Sequence, residues 1–213
     1  MRIEDVARIV GVGGLFTTGF LLSGEVSGPE VRRQLDRWVK SGKVTRLRRG
    51  VYMLNRPWSN RTAHPFVVAN ALSRGSCVSL QSALSWWGMI PEHVPVTTSV
   101  TTGRPEEVQT PIGDFLFRHL KDELFRDVRE IEVSRGQHAL VAGPGEALVD
   151  LLYLTPHSDD PGYLRELRLE PPHGVEEAIF VTELQRNAES TGSMKVQRAV
   201  RRLVTLAGWS DQV

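Results

Sequence analysis

Residues 27–54 read SGPEVRRQLDRWVKSGKVTRLRRGVYML, and this stretch decides the fold of the amino-terminal part of the chain. Its first half predicts a helix over 27–41. Ser27, with Glu30 three residues later, forms a capping box in which each side chain can satisfy a free amide at the helix start. Apolar residues recur at helical spacing at Val31, Leu35, Trp38 and Val39. Gly42 can adopt the left-handed conformation that ends a helix.

The second half of the stretch predicts a basic β-hairpin. Two runs rich in β-forming residues, 44–48 and 51–54, flank Gly50, which supplies the positive φ of a tight turn. Alternation places Leu47 inward. The neighbouring arginines are expected to face outward or to lie at the turn: Arg46, Arg48 and Arg49. A helix followed by such a hairpin is the order of a winged helix-turn-helix.

The outward face of the predicted helix is cationic, which indicates a DNA-binding surface. We expect the helix to enter the major groove, and Arg33 to read a base edge because arginine pairs bidentately with guanine. The hairpin arginines suit phosphate contacts. The predicted DNA-binding residues are Arg32, Arg33, Arg37, Lys40, Arg46, Arg48 and Arg49. The alternative, that these charges form an ordinary solvated face, stays open at this point.

Charge is distributed unevenly along the chain, although the net charge of the 213 residues is only +1. Residues 1–62 carry 12 Lys and Arg against 5 Asp and Glu, whereas residues 63–213 carry 14 against 20. A basic module joined to an acidic one is expected where only the first contacts a polyanion. We therefore predict an α+β chain: a winged helix-turn-helix domain over 1–58, a linker over 59–63, and a larger mixed α/β domain over 64–213.

Within the second domain the patterns predict helices and strands in alternation. The helices are expected at 66–72, 80–87, 143–153, 179–189 and 193–207, and the strands at 94–102, 112–120, 128–133 and 137–142. Asp150 lies in an apolar helix, so its carboxylate must either point to water or be paired. The last helix carries a basic stripe that is either an exposed face or a second DNA or acidic-partner contact: Lys195, Arg198, Arg201 and Arg202.

The sequence offers no pattern typical of a cofactor or metal site. Its six histidines are scattered without metal-ligand spacing, so neither metal nor cofactor is predicted. The single cysteine, Cys77, excludes an intramolecular disulfide and is expected to be buried; it suits a reducing compartment, and we predict a cytoplasmic protein. No apolar run reaches the ~20 residues of a membrane span, so no membrane contact is predicted.

Three stretches together resemble a known family. They cover most of residues 15–155. The first is FTTGFLLSG with EVRRQLDRWVKSGKVTRLRRGVYML, the second is SLQSALSWWGMIP, and the third is GEALVDLLYL. The chain resembles the AbiE-type antitoxins, the AbiEi-like transcriptional regulators of bacterial toxin–antitoxin operons. The resemblance implies a winged helix that binds inverted repeats upstream of its own operon, as a dimer or cooperative pair. It also implies a carboxy-terminal domain that supports antitoxicity against a nucleotidyltransferase-like toxin. The chain departs from the family's pattern in being compact and in its arginine-bearing last helix.

The sequence thus predicts a non-enzymatic, sequence-specific transcriptional repressor, the autoregulating antitoxin of an AbiE-like operon. Two alternatives remain. Asp114 and Glu132, with Arg135 nearby, could form the acidic pair and cation of a Mg²⁺-dependent DNA-cleaving enzyme. The winged helix could instead mediate protein–protein contact, with the acidic domain carrying the function.

Overall fold

The computed structural model describes residues 2–22 and 27–209, and within them two β-sheets organise the chain. The architecture is mixed α+β, as the sequence predicts. Residues 23–26, of which 23 and 24 end the FTTGFLLSG stretch of the family resemblance, and residues 210–213, at the end of the predicted second domain, lie outside the described residues.

The amino-terminal elements surround a three-stranded antiparallel sheet. They are α1 (Ile3–Ile9), β1 (Leu15–Thr17), α2 (Thr18–Leu21), α3 (Gly28–Lys40), β2 (Val44–Arg48) and β3 (Val51–Leu54). The strand order is β1-β3-β2. The predicted helix and hairpin are confirmed, whereas β1 was not predicted, because three residues are too few to show a period of two.

The start and the buried face of α3 form as the sequence indicates. The Ser27 amide donates to Glu30 Oε2 at 3.3 Å, and Ser27 Oγ donates to the same oxygen at 2.8 Å. The apolar stripe of α3 is buried against α1, β3 and the rest of a small core, whose members include Ile3, Val6, Phe16, Val31, Leu35, Trp38, Tyr52 and Leu54. The helix ends before Gly42, whose φ of 68° is left-handed.

The remainder of the chain is built on a six-stranded sheet. Its elements are α4 (Pro65–Leu72), β4 (Cys77–Val78), α5 (Leu80–Trp86), β5 (Val96–Thr101), β6 (Glu106–Thr110), β7 (Gly113–His119), a 3-10 turn (Asp122–Leu124), β8 (Val128–Ser134), β9 (Gln137–Ala142), α6 (Pro144–Leu154), α7 (Pro161–Glu166), α8 (Glu177–Ser190) and α9 (Met194–Ala207). The strand order is β6-β7-β5-β4-β9-β8, with β5–β7 and β4–β9 parallel. Sequence patterns missed β4, β6 and α7, which are short or polar.

Helix α6 lies at the centre of the larger core. Every residue from 144 to 152 is buried, and the helix contacts α5, α8 and α9. A helix surrounded on all sides needs apolar residues all round, and this one reads ALVDLL at its middle. Two carboxyl groups, on Glu146 and Asp150, are consequently buried with it.

The β2–β3 hairpin belongs to both cores. Leu47, Val51 and Met53 pack in the larger core, while Tyr52 and Leu54 pack in the amino-terminal one. Successive residues of a strand point to opposite faces, so β3 is covered on both sides. The hairpin is therefore held between the two parts of the chain. The domain limits set from the sequence stay a prediction.

None of the helices in the described ranges is both long and apolar enough to cross a membrane.

Candidate nucleic-acid interface

The outward face of α3 carries four exposed cations: Arg32, Arg33, Arg37 and Lys40. None of them forms an ion pair with a residue in the described ranges, and Arg37 makes only a long hydrogen bond, 3.4 Å, to Gln34 Oε1. Asp36 is exposed among them, so the face is cationic but not uniformly so. Because the opposite stripe is buried, these side chains are directed away from the core on a rigid support.

The β2–β3 hairpin adds two further exposed arginines. Arg46 lies on β2 and Arg49 lies at the turn, next to Gly50 with its φ of 89°. A hydrogen bond fixes the turn to the start of α2, because the Thr18 amide donates to the Gly50 carbonyl at 2.9 Å. Thr17, in turn, caps α2 by accepting from the Phe20 amide.

Arg48 is half-buried and does not point freely outward, so the expected orientation of this side chain is wrong, whereas its role in DNA binding stays a prediction. Its Nη1 donates at 2.8 Å to both Glu106 Oε1 and the Leu72 carbonyl, in the larger part of the chain. The cause is a β-bulge: Arg46 is paired with Tyr52 but Arg48 with Val51. A bulge breaks the simple alternation of side chains along a strand. Six of the seven predicted DNA-binding residues are thus exposed, and the seventh, Arg48, is half-buried in an ion pair within the chain.

The basic stripe of α9 is largely an exposed face, since Arg198, Arg201 and Arg202 are exposed, but three of its four cations are engaged by their own chain. Lys195 Nζ donates to the Tyr153 and Thr155 carbonyls at 2.9 and 2.6 Å, at the carboxyl end of α6, where a cation is favourable. Arg198 Nε donates to Asp159 Oδ2 at 2.8 Å, and Arg202 donates to the Asp159 carbonyl at 2.5 Å. These contacts give the stripe a structural role in joining α9 to the end of α6.

The acidic pair proposed for a nuclease is not assembled. Asp114 lies on β7 and Glu132 on β8, and β5, β4 and β9 separate these two strands. Four strand spacings amount to about 19 Å, too far for one metal ion. Glu132 Oε1 instead accepts from the Gly136 amide at 2.6 Å. Within the described residues, no group of three or more His, Cys, Asp or Glu could hold a metal ion.

A buried polar cluster is formed by Glu146 and Asp150 of α6 with Ser79. Ser79 Oγ donates to Asp150 Oδ2 at 2.6 Å, and both residues are buried. Burial, together with the nearby Glu146, raises the pKa of Asp150 well above its usual range, whereas the Ser79 hydrogen bond opposes that rise. Burial raises the pKa of Glu146 to about 7 against the lowering influence of Arg126. Asp150 is therefore not a surface residue, and of the two alternatives that the sequence left open the structure shows the second, a carboxyl group with a partner.

Cys77 lies next to this cluster and is almost fully buried. Burial, and then the charge of Asp150, raises the pKa of its thiol far above the ordinary value. A thiol that stays protonated is a poor nucleophile, so Cys77 acts as a small core residue. Sequence reasoning missed Ser79 and Glu106 as polar partners, since they are distant in the chain from Asp150 and Arg48 and no local pattern marks them.

Comparison with known proteins adds little to this description. No family model matches the chain, and no curated protein matches it. Solved structures that resemble it include the crystal structure of the RV2827C protein from Mycobacterium tuberculosis. The two chains are 14% identical, the likeness covers 99% of this chain and 81% of that one, and the TM-score is 0.48. At that distance the likeness carries no inference about function.

Proposed function

We propose that the protein is a sequence-specific, double-stranded DNA-binding transcriptional repressor whose amino-terminal part is a winged helix-turn-helix. The observation that carries the proposal is the exposed cationic face of α3, whose arginines and lysine form no ion pair among the described residues. Other cations in the chain, such as Arg48 and Arg198, are neutralised internally. Unpaired cations on a rigid outward face are what a polyanionic partner requires.

The order of elements supports this proposal. The amino-terminal elements follow the order α1-β1-α2-α3-β2-β3. This order of helix, strand, two helices and two strands is that of winged helix-turn-helix domains. In that arrangement α3 is the helix placed in the major groove, and the β2–β3 turn lies beside the adjacent backbone. Arg33 and Arg37 then face the groove, while Arg46 and Arg49 suit phosphate contacts.

One copy presents one such helix, so we propose that two copies bind the halves of an inverted repeat. The resemblance to AbiE-type antitoxins extends the proposal: the operator would lie upstream of the protein's own operon. The larger part of the chain would then act against a nucleotidyltransferase-like toxin encoded beside it. Coexpression with the neighbouring gene product tests this part, because growth inhibition that the chain fails to relieve contradicts it.

DNA selection from a random pool, followed by fluorescence anisotropy on the enriched sequence, tests the main proposal. We expect an enriched motif with inverted symmetry, and a loss of at least tenfold in affinity for the variant Arg33→Ala with Arg37→Ala. Arg186→Ala is the matched control, since Arg186 is an exposed arginine on a helix of the other part of the chain. The proposal would be contradicted if no DNA sequence were enriched at physiological salt, or if the test and control variants lost equal DNA affinity. Either result would favour a protein–protein role.

A further inference from the structure

A cavity of about 400 Å³ opens in the larger part of the chain, away from α3 and the hairpin. It lies between the segment that follows α5, the start of β5, and α7. Most of the residues that line it are apolar, and they include Leu84, Ile90, Val96, Leu116, Leu151 and Leu167. Leu84 and Leu151 are themselves buried members of the larger core, so the cavity reaches from the surface down to that core.

Among the described residues that line the deep part of the cavity, the polar side chain is already engaged in hydrogen bonds. Thr98, the polar residue of the inner wall, donates from Oγ1 to the Ser79 carbonyl at 2.8 Å and accepts from the Ser82 amide at 3.0 Å. A polar group of a ligand would lose its water there without finding a partner. The part of any ligand that enters must therefore be apolar.

The polar residues of the cavity lie at its rim, and their charge is negative. They are Gln81, Glu92, His93 and Glu166. Glu92 already accepts from Arg168 in an ion pair that links the two walls at the mouth. Glu166 is exposed and has no ion-pair partner in the described part of the chain. Among the described residues, the cavity lining includes no Lys or Arg, and the one cation that the ion pair brings to the mouth, Arg168, is neutralised by Glu92. The charge that remains at the mouth is that of Glu166, which favours a cation over an anion.

We propose that this cavity is a binding site for a small apolar amine, with an aromatic or branched aliphatic group inside and its ammonium group on Glu166. The volume falls within the range of small-molecule sites, about 300–1,000 Å³. The ion pair between Glu92 and Arg168 closes one side of the mouth, which suits a compact molecule better than an extended peptide. The proposal does not depend on DNA binding.

Calorimetric titration of the full chain with three matched probes tests the site: 2-phenylethylamine, 2-phenylethanol and 3-phenylpropanoate. They share a phenyl group and differ in the charge of the head. We expect affinity to fall from the amine to the alcohol, with the carboxylate weakest. The variant Glu166→Gln should weaken amine binding up to about fivefold, the range of an exposed ion pair, and leave alcohol binding unchanged.

Two further variants make the outcome decisive. Leu116→Trp fills the cavity and should abolish binding of both the amine and the alcohol, provided that its circular dichroism matches the parent. Glu130→Gln, an exposed carboxylate on β8 at the opposite edge of the sheet, is the matched control and should change nothing. Absence of saturable amine binding, tighter binding of the carboxylate, or an equal response of Glu166→Gln and Glu130→Gln would overturn the proposal.

Discussion

The guanidinium of Arg48 joins the β2–β3 hairpin to the larger sheet by donating from one nitrogen to Glu106 Oε1 and to the Leu72 carbonyl, both at 2.8 Å. Glu106 is the first residue of the edge strand β6, and Leu72 is the last residue of α4. Together with the burial of Val51 and Met53, these two bonds fix the direction in which the turn of the hairpin points. Arg48 therefore positions the turn for Arg49.

Arg48→Met should destabilise the protein by about 1–2 kcal/mol, because two partly buried charge-assisted bonds are lost while the aliphatic stem is kept. Glu106→Gln should cost less, and a double-mutant cycle in chemical denaturation should give a coupling of about 0.5–1 kcal/mol between the two side chains. Additive effects of the two substitutions would contradict a direct interaction.

Arg49→Ala should flatten the dependence of DNA affinity on salt, by about one unit of slope in a plot of log affinity against log salt concentration. Arg48→Met should lower affinity without changing that slope, because Arg48 is engaged within the chain and reaches no phosphate. Parent protein with about five phosphate contacts per copy should show a slope near −4 to −5. Anisotropy titrations at several salt concentrations measure all three. A flattened slope for Arg48→Met would mean that its ion pair opens on DNA.

Arg33→Ala should relax the preference for one base pair of the operator, at a cost of about 1–3 kcal/mol, and affect random DNA less. The reason is that a bidentate contact to a guanine edge distinguishes bases, whereas a phosphate contact does not. Competition titrations with operator variants substituted at single positions measure the change. Equal losses on operator and random DNA would reassign Arg33 to the phosphate backbone.

Glu146→Gln should make folding less sensitive to pH between about 4.5 and 7. Burial raises the pKa of Glu146 from 4.5 to about 7, so in this window the folded state keeps a proton that the unfolded state has lost. The free energy of unfolding of the parent therefore falls as pH rises, and this group contributes as much as about 3 kcal/mol to that fall. The neutral amide introduced by the substitution removes that contribution, so the variant should gain stability relative to the parent at pH 8.

Denaturant unfolding at pH 5 and pH 8 checks the prediction, with the variant compared with the parent at each pH. Other carboxyl groups titrate in both proteins, so the difference between the two proteins isolates Glu146. Glu107→Gln serves as the exposed control and should give the same small change at both values. A Glu146→Gln effect that does not vary with pH would show that the carboxyl is ionised in the folded state.

Elements with short-range signals could be predicted from the amino-acid sequence. The capping box of Ser27 and Glu30, the buried stripe of α3 and the turn at Gly50 were all readable, because each depends on residues within a few positions of one another. The limits of β2, β3 and β9 followed the pattern for the same reason. The exposure of Arg33 and Arg37 then follows from helix geometry alone.

Which charges remain unpaired depends on how the sheets and helices pack. Arg48 and Arg49 are neighbours with the same side chain, yet a bulge and a glutamate 58 residues away engage the first in a half-buried ion pair while the second stays exposed. Likewise Asp150 is buried because its helix is packed on all sides, and Ser79, 71 residues distant, donates to it. The energy of an ion pair or hydrogen bond depends on the distance between the two groups in space. These partners come together only when the sheets and helices have packed.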